Sequence, residues 1–386
     1  MKKTIVYMIL LTVIACRQRY DAPVSAIATG YLVVEGVVDP LTGGTELILT
    51  RTSRLDSIVK IVETNASVNL KGDDNSLFLL TEQTPGHYLA ANLQLNSQVK
   101  YKLHIFTAAG KEYVSDAAPV LVNPPIDSIN WTRENGGVQI YINTHNPLNN
   151  TRYYQWEFNE TWEFHSEYWS SLKYKVVQLP DASQNYSVVY RDSITHNLDS
   201  SIHACWQFRS STNLQLGSSA KLSADIIHLP MVYIPKDSWE LSVLYRFHIR
   251  QFAWTKEGYQ YLEIMKKNTE STGSIFDAQP SQLTSNIHCL TNPDETVLGY
   301  FNISPIREST IFIKNKDLPD WNYRSGCYQV KIENISDSIK RKGIGLTPTE
   351  PIDVGPFYTI ALFFASNEYC VDCTLRGTNI KPSYWP

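Results

Sequence analysis

No apolar run at the start of this sequence is long enough to cross a bilayer. Ile5 to Ala15 is apolar except for Tyr7 and Thr12, whereas a spanning helix needs about 20 such residues. No block of basic charge stands out either, and the formal net charge is −4, which gives no support for a nucleic-acid partner. Heptads, low-complexity tracts and a repeat period are all missing, which excludes coiled coils and solenoids. So are a G-x-S-x-G elbow, an H-E-x-x-H helix, a phosphate loop and a dinucleotide fingerprint. No catalytic residue, cofactor or metal site is therefore expected. A glycosidase's paired carboxylates are set by space and not by spacing, so a hydrolase is not removed by these absences.

What the sequence does contain begins with Met1-Lys2-Lys3, a short apolar stretch, and Val13-Ile14-Ala15 ahead of Cys16. That layout is a secretory signal over residues 1–15. It resembles a bacterial lipobox, which makes Cys16 a lipidation site and the first residue of the mature chain. Several acyl chains on one residue satisfy the two-signal requirement for stable anchoring. Residues 16–29 read as a lipidated tether, and the membrane is the first expected partner.

Five further cysteines remain: Cys205, Cys289, Cys327, Cys370 and Cys373. An oxidising compartment favours disulfides, and an odd number leaves at least one thiol unpaired. Cys370-Val-Asp-Cys373 follows a strand-like run and not a helix start, so structural bonding is expected over redox chemistry. The connectivity is open.

Aromatic residues make up 12% of the chain, with 23 Tyr and 9 Trp, against four Met. This composition suits pleated, half-buried surfaces. Strand-like runs occur at "YLVVEGVVD" (31–39), "TELILTRT" (45–52), "ASVNLKG", "HYLAAN" and "KYKLHIFTAAGKEYVSD". Their spacing predicts an immunoglobulin- or transthyretin-like β-sandwich over 30–123. Pro124-Pro125 cannot donate to a ladder and marks the boundary. A larger, fibronectin-like β-sandwich with one α-helix is expected over 124–386. That helix is read at 255–270, with Thr255 as its cap, although Gly258 stands where a full capping box would need Glu or Gln.

"YYQWEFNETWEFHSEYW" (153–169) alternates with period two. Tyr154, Trp156, Phe158, Trp162 and Phe164 share one face, and Glu157, Asn159, Glu163 and His165 the other. The plain expectation is a core-facing aromatic side and a wet acidic side. The sharper one is a ligand platform at Trp156 and Trp162, with Glu163, His165 and Glu167 as polar or cation-binding partners. Later strands are read at "YSVVYR", "WELSVLYRFHIRQFAW" and "ETVLGYFNIS".

"YLVVEG", "PPIDSINW", "NNTRYYQWEFNETWEF", "NTESTGSIFDAQPSQLTSNIHCLTNPDETVLGYF" and "CVDCTLRGTNIKPSYWP" together resemble one family. It is the Bacteroidetes lipoprotein family known as domain of unknown function 4249. Members carry lipoprotein signals, and their genes lie near TonB-dependent outer-membrane transporters. The resemblance implies a non-enzymatic, outer-membrane-anchored accessory or cargo-binding subunit with a transporter as partner. A structural or adhesive envelope protein, and a surface enzyme hydrolysing glycans or peptides, are the alternatives. Arg17-Gln18-Arg19 stands where surface-exported members carry acidic residues, so both the surface-exposed and the periplasm-facing orientation stay open.

Overall fold

Period-two alternation becomes strand in the computed structural model, which describes residues 30–41, 44–53, 59–270 and 283–386. Cys16, the signal and the tether lie outside the described residues. Strands take 47% of the structure and helical turns 12%, the mainly β, sandwiched architecture that the composition predicts.

The N-terminal part contributes β1 (Leu32–Glu35), β2 (Thr45–Arg51), β3 (Ile61–Val62), β4 (Ser67–Gly72), β5 (Leu77–Thr84), β6 (His87–Ala90), β7 (Lys100–Phe106), β8 (Glu112–Ser115) and β9 (Ala118–Pro119). They run in the order β1-β2-β6-β5-β4-β7-β8, with β3 on β2 and β9 on β7. β5 joins the two halves: its first residues pair with β4 and its last with β6. The halves fold over one core in which Leu47, Leu49, Leu70, Leu103 and Ile105 are buried. Tyr101, Leu103, Ile105 and Thr107, every second residue along β7 and just past it, are all buried.

Beyond Pro125 follow β10 (Ile126–Glu134), β11 (Gly137–Asn146), β12 (Tyr153–His165), β13 (Leu172–Gln178), β14 (Gln184–Tyr190), β15 (Ala204–Ser210), β16 (Gln215–Ser218), β17 (Asp225–Ile234) and β18 (Leu244–Ala253). Helix α1 (Lys256–Glu270), β19 (Ile287–Cys289), β20 (Arg307–Lys314), β21 (Val330–Glu333), β22 (Leu346–Val354) and β23 (Ile360–Asn367) complete the set. The sheet β10-β11-β17 faces the sheet β15-β12-β18-β20, which also carries β16 on β12. Trp156, Trp162, Phe164, Phe247 and Ile142 fill the space between them. The hairpin β13–β14 and the sheet β21-β23-β22 enclose a smaller core around Leu172, Ile332 and Phe363. Among the described residues no helix is long and apolar enough to cross a membrane.

The core of the N-terminal layer takes residues from both sides of Pro124-Pro125. β19 pairs with β8, and Val297, Phe301 and Ile303 are buried in the N-terminal core. The run "ETVLGYFNIS", expected as a strand, instead lies extended and makes single parallel bridges, Leu298 to Val33 and Ile303 to Val38. Gly299 is held at φ +122° there, and a Cβ on it would stand 2.1 Å from the Val34 carbonyl oxygen. Only glycine allows so close an approach.

Two disulfides join Cys205 to Cys373 and Cys327 to Cys370, while Cys289 is a buried free thiol. The paired Cys370 and Cys373 therefore serve different partners and fasten the C-terminal arm at two points.

Candidate functional site

β18 ends at Phe252-Ala253, and Trp254-Thr255 lead directly into α1. The Thr255 hydroxyl accepts from the Gly258 N–H at 3.1 Å, which caps the helix. A Cβ at Gly258 would lie 2.8 Å from the Trp254 ring and 3.0 Å from Tyr300. The capping box is incomplete because this position belongs to aromatic packing. Trp254 and Tyr300 lie 6.2 Å apart, and Tyr261 and Tyr300 5.5 Å apart. The Tyr261 hydroxyl accepts from the Gly299 N–H at 2.8 Å, tying the helix to the segment bridged to β1. Burial pushes the Tyr259 phenol up to about 12 and raises those of Tyr261 and Tyr300, so all three stay neutral at ordinary pH.

Between this aromatic group and β1–β2 lies a cavity of about 650 Å³. Phe252, Trp254, Tyr261, Met265, Leu298 and Tyr300 supply its apolar walls. Its size and lining are those of a small-molecule site. Charged groups reach it from its walls: Glu35, Glu46, Glu157 and Arg250. Each has a polar partner. Arg250 lies 3.5 Å from Glu157 and 3.4 Å from Glu308, Glu35 3.7 Å from Lys60, and Glu46 2.5 Å from His87. Two atoms of lining residues, Gln155 Oε1 and Trp254 Nε1, are buried behind the cavity surface without a hydrogen-bond partner. Their side chains belong to residues only 7% and 6% exposed. Natural structures rarely leave such groups unpaired unless something else satisfies them.

A second hollow of about 220 Å³ adjoins the first and shares Gln155, Glu157, Leu214 and Arg250 with it. Its remaining walls are mostly amides and hydroxyls: Asn159, Ser210, Ser211, Thr212 and Asn213.

The site residues expected from the alternating strand lie mostly elsewhere. Trp156 is buried, donates from Nε1 to Gln251 Oε1 at 2.9 Å, and also reaches the wall of the smaller hollow. Trp162 packs edge-on against Trp239 at 5.4 Å inside the sandwich. Glu163 and His165 are brought together at 2.9 Å, and Trp385 donates to the other Glu163 oxygen at 2.8 Å. The His165 hydrogen bond is the main cause holding the Glu163 carboxyl below its ordinary range. Glu167 turns to another partner, accepting from the Ser325 hydroxyl at 2.8 Å. The three polar groups are thus not gathered around one point, and among the described residues no group of three His, Cys, Asp or Glu side chains could hold a metal ion.

Sequence reading missed the cavity residues Gln155, Arg250, Phe252, Trp254 and Tyr300. The available signal was "QFAWT" before the helix, where aromatics continue through a strand-to-helix junction with no period of their own.

Compared with curated proteins, the chain finds no match. Compared with known families, residues 17–310 match the one described as Domain of unknown function (DUF4249). Every residue lining the larger cavity falls within that stretch. The match spans most of the chain, which belongs to the DUF4249 family.

Proposed function

We propose that this chain is a non-enzymatic binding protein of the cell envelope. Acyl chains on Cys16 hold it at the outer membrane, and it presents a small ligand to an outer-membrane transporter. The observation that carries the binding role is the aromatic cavity built between β1–β2, β18 and α1. The membrane role is supported by the signal and lipobox-like residues ahead of Cys16, and the transporter by the resemblance drawn from sequence.

Purification from membranes in mild detergent, followed by mass spectrometry of co-eluting proteins, tests the partner. A TonB-dependent barrel in stoichiometric amount supports it, and the absence of any barrel removes it. A Cys16→Ser chain that still pellets with membranes would remove the anchor. Turnover of a glycan or peptide panel, abolished by changing one carboxylate, would replace the binding role with hydrolysis.

A further inference from the structure

Building on the binding role just given, we propose that the guest is an uncharged amphiphile. Its alkyl or aryl body fills the aromatic cavity, and its hydroxyl-bearing head lies in the smaller hollow beside it. The chemical class is that of an alkyl or aryl glycoside.

The division of the site sets the division of the ligand. Phe252, Trp254, Tyr261, Met265 and Tyr300 offer apolar and ring surface, which an alkyl or aryl group covers with release of water. The adjoining hollow offers Asn159, Ser210, Ser211, Thr212 and Asn213, groups that both donate and accept. Gln155, Glu157, Leu214 and Arg250 belong to both spaces, so one molecule can occupy the two together.

Charge argues against an anionic guest. Among the described lining residues stand three carboxylates, Glu35, Glu46 and Glu157, and one guanidinium, Arg250, which already faces Glu157 and Glu308. A quaternary ammonium would meet carboxylates here, but it has neither an N–H nor a lone pair for the amides and hydroxyls of the smaller hollow.

The test uses the full-length Cys16→Ser chain, so that no detergent is present. n-Octyl β-D-glucoside below its micellar concentration, octanoate, octyltrimethylammonium and glucose are each titrated by calorimetry. The glucoside is expected to bind at least tenfold more tightly than either charged amphiphile, with glucose undetected. Asn159→Leu and Asn213→Leu, which remove amides from the smaller hollow, should each weaken the glucoside roughly tenfold. Met265→Trp, which fills the cavity, should abolish binding.

If a charged amphiphile binds as well as the glucoside, the ligand class is overturned while the binding role stands. If no octyl compound binds, the binding role itself fails. If the glucoside binds the folded Met265→Trp chain unchanged, the site is wrong. The head-group comparison needs only the wild-type cavity and decides the class even where a variant fails to fold.

Discussion

Asn123 and Gln251 exchange hydrogen bonds in the buried joint between the two sandwiches. Asn123 Nδ2 donates to the Gln251 carbonyl oxygen at 2.8 Å, and Gln251 Nε2 donates to Asn123 Oδ1 at 3.0 Å. The Gln251 amide also donates to the Pro124 carbonyl at 2.9 Å and accepts from Trp156 Nε1 at 2.9 Å. Two prolines leave the junction without its own N–H donors, and this one side chain supplies what they lack.

Gln251→Leu should therefore cost far more than its volume change implies. It strands the Asn123 carbonyl, the Pro124 carbonyl and the Trp156 N–H, all inside the protein. Leaving buried groups unsatisfied costs about 1–3 kcal/mol each, and a total loss of about 3 kcal/mol is expected. Urea unfolding at unchanged slope measures it, and a loss below about 0.5 kcal/mol, the level of an ordinary surface change, would show that the joint does not depend on this amide.

His203 predicts a loss of stability in acid. Burial is the main cause that lowers its imidazole to about 4, with His165 adding to it, and Trp169 stacks on the ring at 3.5 Å. Its Nδ1 lies 2.9 Å from the Ser166 hydroxyl. The folded state thus holds the neutral form where the unfolded chain, near its ordinary value of 6.5, takes up a proton. The stabilisation is complete above about 6.5 and disappears as pH falls toward about 4. Thermal melting of wild type against His203→Phe, followed from pH 7.5 to 4.5, should show the wild-type curve falling more steeply. Parallel curves would remove His203 as the source.

The disulfides should differ in weight. Cys205–Cys373 closes 168 residues and Cys327–Cys370 closes 43. Loop-closure entropy grows with the logarithm of length, so the longer loop should contribute about 1 kcal/mol more. Replacing each pair by serines and comparing unfolding midpoints checks the order. A greater loss from the shorter loop would mean that native packing around Cys327 outweighs chain entropy.

Much of this fold could be read from residues whose partners lie close along the chain. Alternation in Tyr154–Phe164 and in Tyr101–Thr107 follows from the pleat alone, and Thr255 marked its helix through a local cap. β5 escaped because Leu77 and Leu79 point outward, 59% and 63% exposed, so its pattern carries no inside and outside. The segment 295–304 has the composition of a strand, but Gly299 at φ +122° breaks its extended run, and it meets β1 and the residues after it only through single bridges. The cavity was illegible for a stronger reason. Val33–Ile48, Gln155–Glu157, Arg250–Met265 and Leu298–Ile306 meet only through the topology, and none of them carries a motif by itself. Glu160 interrupted the aromatic face in the sequence without revealing what it would pair with.

That interruption yields the last prediction. Glu160 is buried on the core side of β12 and accepts two hydrogen bonds from Arg209 at 2.7 Å and one from the Tyr245 hydroxyl at 2.6 Å. Glu240 lies 3.5 Å from the same guanidinium. Hydrogen bonding to Glu160 is the main cause that raises Arg209 above its ordinary value, so it stays charged and serves both carboxylates. Arg209→Met keeps an unbranched aliphatic stem but leaves two buried acids without a cation, and removing one partner of such a set costs about 3–5 kcal/mol. The informative comparison is Arg209→Met against Arg209→Met/Glu160→Gln, both by urea unfolding at one pH. Removing the stranded charge should recover part of the loss. No recovery would mean that Arg209 contributes packing and not charge.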